Sequence, residues 1–187
     1  PNLEVQGGQA TRVFNNRIFN NNTDNFAPAG AIVGNVPPGT GLLILANDNI
    51  EVFGNQFTDN NNVNVMIYSF VLGGRSVDDP EYDPYPEYIY LHDNEFSGGG
   101  TVPGHSLLAA WHEQTGANST DIVWGGLIKP GGSIENLICL GEREQQSFMN
   151  LNGGSDPEQI ETAVDNHQCT LPRLPAIDFD YPADASD

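Results

Sequence analysis

The residues able to do chemistry are few and scattered: Asp24 closing Asn22-Thr23-Asp24, the pair Asp78-Asp79, and His105 behind Gly104. Carboxylates and an imidazole can cleave a polysaccharide by acid–base catalysis. Two or three carboxylates must then converge on one face, and an acidic sugar also needs a basic clamp. Here Asp24 lies at a loop entrance, Asp78 and Asp79 lie in a long insertion, and no Arg-x-Lys follows. Arg12, Arg17 and Arg75 are too few to form a clamp. No residue is therefore assigned as catalytic, and whether the chain is an enzyme stays open, the balance leaning against it.

The acidic insertion carries Asp78, Asp79, Glu81, Asp83 and Glu87. A hard cation wants several oxygens from one flexible loop, so Ca²⁺ is the only cofactor this sequence suggests, with Asp78, Asp79, Glu81 and Asp83 as ligands. The run fits no EF-hand or nonapeptide pattern, and a solvated, Pro-stiffened loop is the competing reading. Tyr82, Tyr85, Tyr88 and Tyr90 can stack on sugars or on a neighbouring subunit. His92, His105, His112 and His167 show no metal-ligand spacing, and His92, in an outward column, reads as a surface residue.

The elements that must position these groups are written in a repeat. Val13-Phe14-Asn15-Asn16-Arg17-Ile18, Val52-Phe53-Gly54-Asn55-Gln56-Phe57 and Leu91-His92-Asp93-Asn94-Glu95-Phe96 share an apolar-x-x-Asn-x-apolar pattern at a spacing of 39. A second register pairs Leu42-Leu43-Ile44-Leu45-Ala46 with Val65-Met66-Ile67-Tyr68-Ser69. Short β-rich runs separated by Asn, Asp and Gly predict strands. Like residues recurring at one period predict stacked repeats, because one repeat cannot bury its inward face alone. The expected fold is all-β: a right-handed parallel β-helix, or solenoid. Ile18, Phe57 and Phe96 form one inward stack, and Val13, Val52 and Leu91 form another. Asn16, Asn55 and Asn94 form a ladder at equivalent bends, where Asn tolerates left-handed φ and its amides bond along the stack.

A spacing of 39 exceeds the roughly 20–30 residues of a plain solenoid turn, so the excess is assigned to loops inserted at about 22–40 and 70–87. Residues 1–104 are read as the repeating part. Residues 105–177 are read as a final irregular coil and cap, opening with a short helix over 105–114, and 178–187 as an acidic tail. Asp121–Trp124, Asn136–Leu140 and Ser147–Leu151 read as strands of that cap. Cys139 and Cys169 are even in number and lack CxxC spacing, which favours a disulfide stapling the cap over a metal site. A lasting disulfide points to an oxidising compartment: the chain is secreted, extracellular or at the cell surface, or periplasmic.

Charge removes several partner classes. Six Lys and Arg face 25 Asp and Glu, a formal net charge of −19. Such a surface repels nucleic acid and anionic lipid, whose binding depends on clustered cations. No run approaches the roughly 18 apolar residues of a membrane span. Pro1 opens the chain without a basic or apolar leader, as in a processed or truncated product.

The chain resembles a family of exported bacterial parallel β-helix repeat proteins of uncharacterised function, often encoded beside or fused to a c-type-cytochrome-like exported protein. The matching stretches include Leu3–Gly8, Arg12–Asn16, Asn20–Gly30, Pro38–Gly41, Glu51–Asn55, Asp83–Pro86, Asp121–Trp124, Ile138-Cys139, and Cys169 with Leu171-Pro172, within roughly 1–177. The resemblance implies a C-terminal portion of such a protein and an exported cytochrome-like partner. An uncapped first coil would expose strand edges and invite end-to-end self-association into an extracellular fibre. The expected function is an exported acidic scaffold or interaction protein. The alternative is a polysaccharide-acting lyase, epimerase or hydrolase, or a carbohydrate-binding module.

Overall fold

The computed structural model describes residues 8–28, 31–72, 76–141, 146–154 and 156–176. The acidic tail expected at 178–187 and Arg75 lie outside the described residues. The first repeat contributes β1 (Gln9–Phe14), β2 (Arg17–Phe19) and β3 (Thr40–Leu45), and the second β4 (Asp48–Phe53), β5 (Gln56–Thr58) and β6 (Val63–Tyr68). Then come β7 (Ile89–His92), β8 (Glu95–Ser97), the helix α1 (Ser106–Thr115), β9 (Ile122–Trp124), β10 (Ile138–Cys139) and β11 (Phe148–Asn150).

These strands form three parallel sheets, ordered β1-β4-β7-β10, β2-β5-β8 and β3-β6-β9-β11. Registers follow the sequence period: Val13 faces Val52 and Val52 faces Leu91, while Ile18 faces Phe57 and Phe57 faces Phe96. The expectation of a closed right-handed β-helix solenoid is corrected here. The described chain is a mostly-β arrangement of separate sheets of four, three and four strands with one helix, and no closed solenoid is formed. The physical reason lies at the corners. Asn15, Gly54 and Asp93 all take left-handed φ, as do Asn20, Asp59 and Gly98, all between 52° and 64°. These reversals end the strand ladders on either side of the three short strands, so equal spacing aligns strands within each sheet without making one continuous wall.

The inner core lies between the sheets, built on Val52, Phe57, Val65, Ile67, Leu91, Ile122, Trp124, Ile138 and Phe148. Phe57 and Phe96 stack with centroids 5.1 Å apart. Ile18 and Phe96, at the two ends of their column, are only partly buried. Alternate residues of the third sheet, Met66, Val123 and Met149, point the other way and pack with Leu107 and Leu108 of α1. With both faces covered, Val65–Ile67 and Ile122–Trp124 read as apolar runs rather than alternating ones. Each fully buried aliphatic side chain contributes roughly 1.5–3 kcal/mol. The helix starts after His105 and ends at Gly116, whose left-handed φ of 70° lets its N–H bond the His112 carbonyl.

The far end is closed by the C-terminal segment. Cys139 and Cys169 form the disulfide, with Cα atoms 4.8 Å apart. Glu161 bridges Asn150 in antiparallel sense, and the N–H groups of Leu140 and Gly141 donate to the His167 and Cys169 carbonyls. His167 is buried against Trp124 and Phe148 and its Nδ1 lies 3.0 Å from the Ile138 carbonyl.

Candidate functional site

The asparagines at 16, 55 and 94 are joined through their side chains. Asn16 donates its N–H and Nδ2 to Asn55 Oδ1, both at 3.0 Å, and Asn55 donates likewise to Asn94 Oδ1. Asn55 Nδ2 also reaches the Val13 and Phe53 carbonyls. The left-handed residue is the one before each of these asparagines. The preceding residue makes the bend, which leaves the Asn side chain to satisfy buried backbone groups.

A second asparagine line escaped the sequence reading. Asn21 donates its N–H and Nδ2 to Asn60 Oδ1, Asn60 Nδ2 bonds Asn64 Oδ1, and Asn64 Nδ2 bonds Asp121 Oδ1. The signal was present, since Asn20-Asn21-Asn22 and Asp59-Asn60-Asn61 also stand 39 apart. Both lines run in one sense, so Asn16 Oδ1 and Asn21 Oδ1 receive no donor among the described residues. They lie at the end where β1, β2 and β3 are all edge strands. Phe14 and Phe19 there are 45% and 50% exposed.

A cluster of charged groups lies on the outer face of the first sheet. Glu51, 1% exposed, accepts from Arg12 Nε and the Leu174 N–H at Oε2, both at 3.1 Å, and its Oε1 lies 3.1 Å from His92 Nε2. His92 Nδ1 lies 2.9 Å from Asp93 Oδ2, which Arg173 approaches at 3.5 Å. His92 does occupy the column of Phe14 and Phe53, stacking on Phe53 at 5.2 Å. Its expected surface position is corrected: it is 4% exposed, near the strap of residues 171–174. Two carboxylates facing its two nitrogens are both satisfied only when both nitrogens donate. Glu51 and His92 of this cluster are buried, while Asp93 and Arg173 at its rim are exposed.

A cavity of about 470 Å³ is lined by Tyr68, Leu72, His105, Leu107 and Leu151. Tyr68 Oη and His105 Nε2 are 3.0 Å apart. Burial lowers the pKa of His105 and raises that of Tyr68 above the phenol range. The described residues lining the cavity are mostly apolar and include no carboxylate, whereas glycoside cleavage uses a pair of them.

The proposed calcium ligands are only partly brought together. Asp79 Oδ1 accepts the Glu81 N–H, and Asp78 makes no hydrogen bond among the described residues. Among the described residues Asp83 and Glu87 of the acidic insertion come together with Asp48, which the sequence reading did not propose as a ligand, while Asp78, Asp79 and Glu81 join no such cluster. Lys129 pairs with Asp83 and lies 3.9 Å from Glu87, so an ammonium already answers these charges. Desolvation by burial raises the pKa of Asp48. No hydrogen bond or ion pair links Asp24, Asp78, Asp79 and His105 among the described residues, and no helix there is long and apolar enough to cross a membrane.

Searches of protein-family models, curated proteins and solved structures find no match to this chain. The disulfide is consistent with an extracellular or periplasmic location.

Proposed function

We propose that the protein is an exported acidic interaction scaffold that associates through the end bearing β1, β2 and β3, with a second copy of the chain as partner. The observation that supports this reading is the coincidence, at one end of the described residues, of three edge strands and of two asparagine lines whose last Oδ1 atoms, on Asn16 and Asn21, receive no donor among those residues. Strand groups and amide acceptors with no partner among the described residues, together with exposed Phe14 and Phe19, make a surface that another β edge satisfies. At the far end Glu161 bridges Asn150 of β11, and the His167 and Cys169 carbonyls accept from Leu140 and Gly141 beside β10, so two of the three strand edges there are occupied and pairing is favoured at the end bearing β1, β2 and β3. A filament requires that closing segment to move aside.

Sedimentation velocity over a wide concentration range tests this. A concentration-dependent pair is expected, strengthened by salt that screens the −19 charge. Phe14→Asp with Phe19→Asp should leave a folded monomer. A wild-type protein that stays monomeric at every reachable concentration overturns the reading. A monomer that releases unsaturated or reducing sugars from acidic glycans establishes the enzymatic alternative instead.

A further inference from the structure

We propose that the pocket between the first sheet and the strap of residues 171–174 is a sugar-binding site, in which Tyr88 stacks on the apolar face of a neutral pyranose. Of the four tyrosines in and just after the acidic insertion, Tyr88 and Tyr90 share this pocket. Ile50, Leu171 and Pro172 complete its apolar surface, and Asn49 and Arg173 also line it. Its volume is about 200 Å³. Pockets for drug-sized ligands run to roughly 300–1,000 Å³, so this one suits a single ring rather than a run of them.

The backbone at Tyr88 is what points here. Ala10, Asn49 and Tyr88 stand 39 apart, and all three take left-handed φ, at 54°, 54° and 59°. The bend recurs with the repeat, and Asn suits it far better than a bulky side chain does. Tyrosine therefore strains the chain, and it gains little burial in return. Tyr88 is 50% exposed, and its Oη bonds no described residue. A strained and exposed aromatic ring marks a contact with something outside the fold. The surrounding chemistry selects what that is. The C–H face of a pyranose packs on aromatic rings while its hydroxyls meet polar groups at the rim. Asn49 is exposed with an amide that bonds no described residue, and Arg173 is 64% exposed and reaches Asp93 through one nitrogen only. An acidic sugar is disfavoured, because buried Glu51 lines the same pocket and the chain carries a net charge of −19. Equatorial hydroxyls leave the ring faces apolar, so a β-glucoside is the matching shape. None of the lining residues belongs to β1, β2 or β3, so the site stands or falls independently of pairing through that end.

The test is a titration of the full chain with methyl β-D-glucopyranoside, and separately with the corresponding methyl glucuronide, read by NMR shifts. Saturable shifts centred on Asn49, Tyr88, Tyr90 and Arg173 are expected for the neutral glycoside, with a Kd of about 1 mM, the scale for a ligand of this size. The glucuronide should bind more weakly. Tyr88→Asn removes the ring but installs the residue that makes the same bend at position 49. It should bind the glycoside roughly tenfold more weakly, the scale of one lost ring contact, while its urea midpoint is no lower than that of the wild type. No saturable shift in the wild type up to about fifty times that Kd overturns the proposal, as does unchanged affinity in Tyr88→Asn. Tighter binding of the glucuronide overturns the assignment of a neutral ring. The wild-type titrations decide the site even if the variant does not fold.

Discussion

A single asparagine illustrates how residue chemistry holds this structure. Asn55 is 0% exposed and its side chain takes part in five hydrogen bonds, serving Asn16, Asn94, Val13 and Phe53. Alanine at this position leaves buried donors and acceptors without partners, and stranded groups of this kind cost about 1–3 kcal/mol each before relaxation. Asn55→Ala should therefore lower unfolding stability by about 3 kcal/mol, read as a lower urea midpoint at unchanged slope. A loss within about 0.5 kcal/mol, the scale of an ordinary surface substitution, contradicts the role assigned to the ladder. Gly54 is constrained for a different reason. Its φ is +64°, and a Cβ there would meet Asn15 Oδ1 at 2.8 Å. The neighbouring layers use Asn15 and Asp93 in the same left-handed bend, which small polar residues tolerate.

At the scale of elements, the weakest strand is β10, two residues long, pairing Ile138 with Ile89 and Cys139 with Tyr90. So short a strand does not set its own register. It is held by the disulfide, by the two backbone bonds from Leu140 and Gly141, and by His167 against the Ile138 carbonyl. Closing 30 residues by a disulfide contributes up to about 3.7 kcal/mol in the chain-entropy account. Reduction should lower the thermal midpoint and expose amides of residues 138–141 and 167–169 to exchange first, before the strands of the second repeat. Equal loss of protection throughout the protein would place the disulfide's effect elsewhere. The strap with Arg173 and Leu174 continues directly from this segment, so its docking on Glu51 depends on the same anchor.

For the whole molecule, pH acts through two partly desolvated histidines. Desolvation lowers the pKa of His105 and His167 from the ordinary 6.5, with the Ile138 carbonyl partly opposing it at His167. The unfolded chain therefore binds protons first as pH falls. Their contribution to stability is complete above about pH 6.5 and declines below it, until the folded-state values are passed. Chemical denaturation at pH 7.5 and pH 5.5 should show the lower stability at pH 5.5, and replacing either histidine by Gln should flatten that difference. A protein more stable at pH 5.5 would show that relief of the −19 charge outweighs these two residues.

The spacing of 39 was enough to align Val13, Val52 and Leu91, and Ile18, Phe57 and Phe96, because stacked parallel strands pair like with like when repeat length is constant. The Asn line at 16, 55 and 94 and the pairing of two lone cysteines follow from the same local rules. How the sheets relate was not legible, because closure depends on backbone reversals at Asn15, Gly54 and Asp93 rather than on hydrophobic period. Nor was the burial of His92, whose column points outward and is enclosed only when residues some 80 positions later fold across it. Asp48 meeting Asp83 and Glu87 is likewise a product of the insertion's path. Local pattern determines which residues stack within a sheet. Which distant side chains share a charge, a proton or a cavity is decided only when loops of no regular period come to rest on that frame.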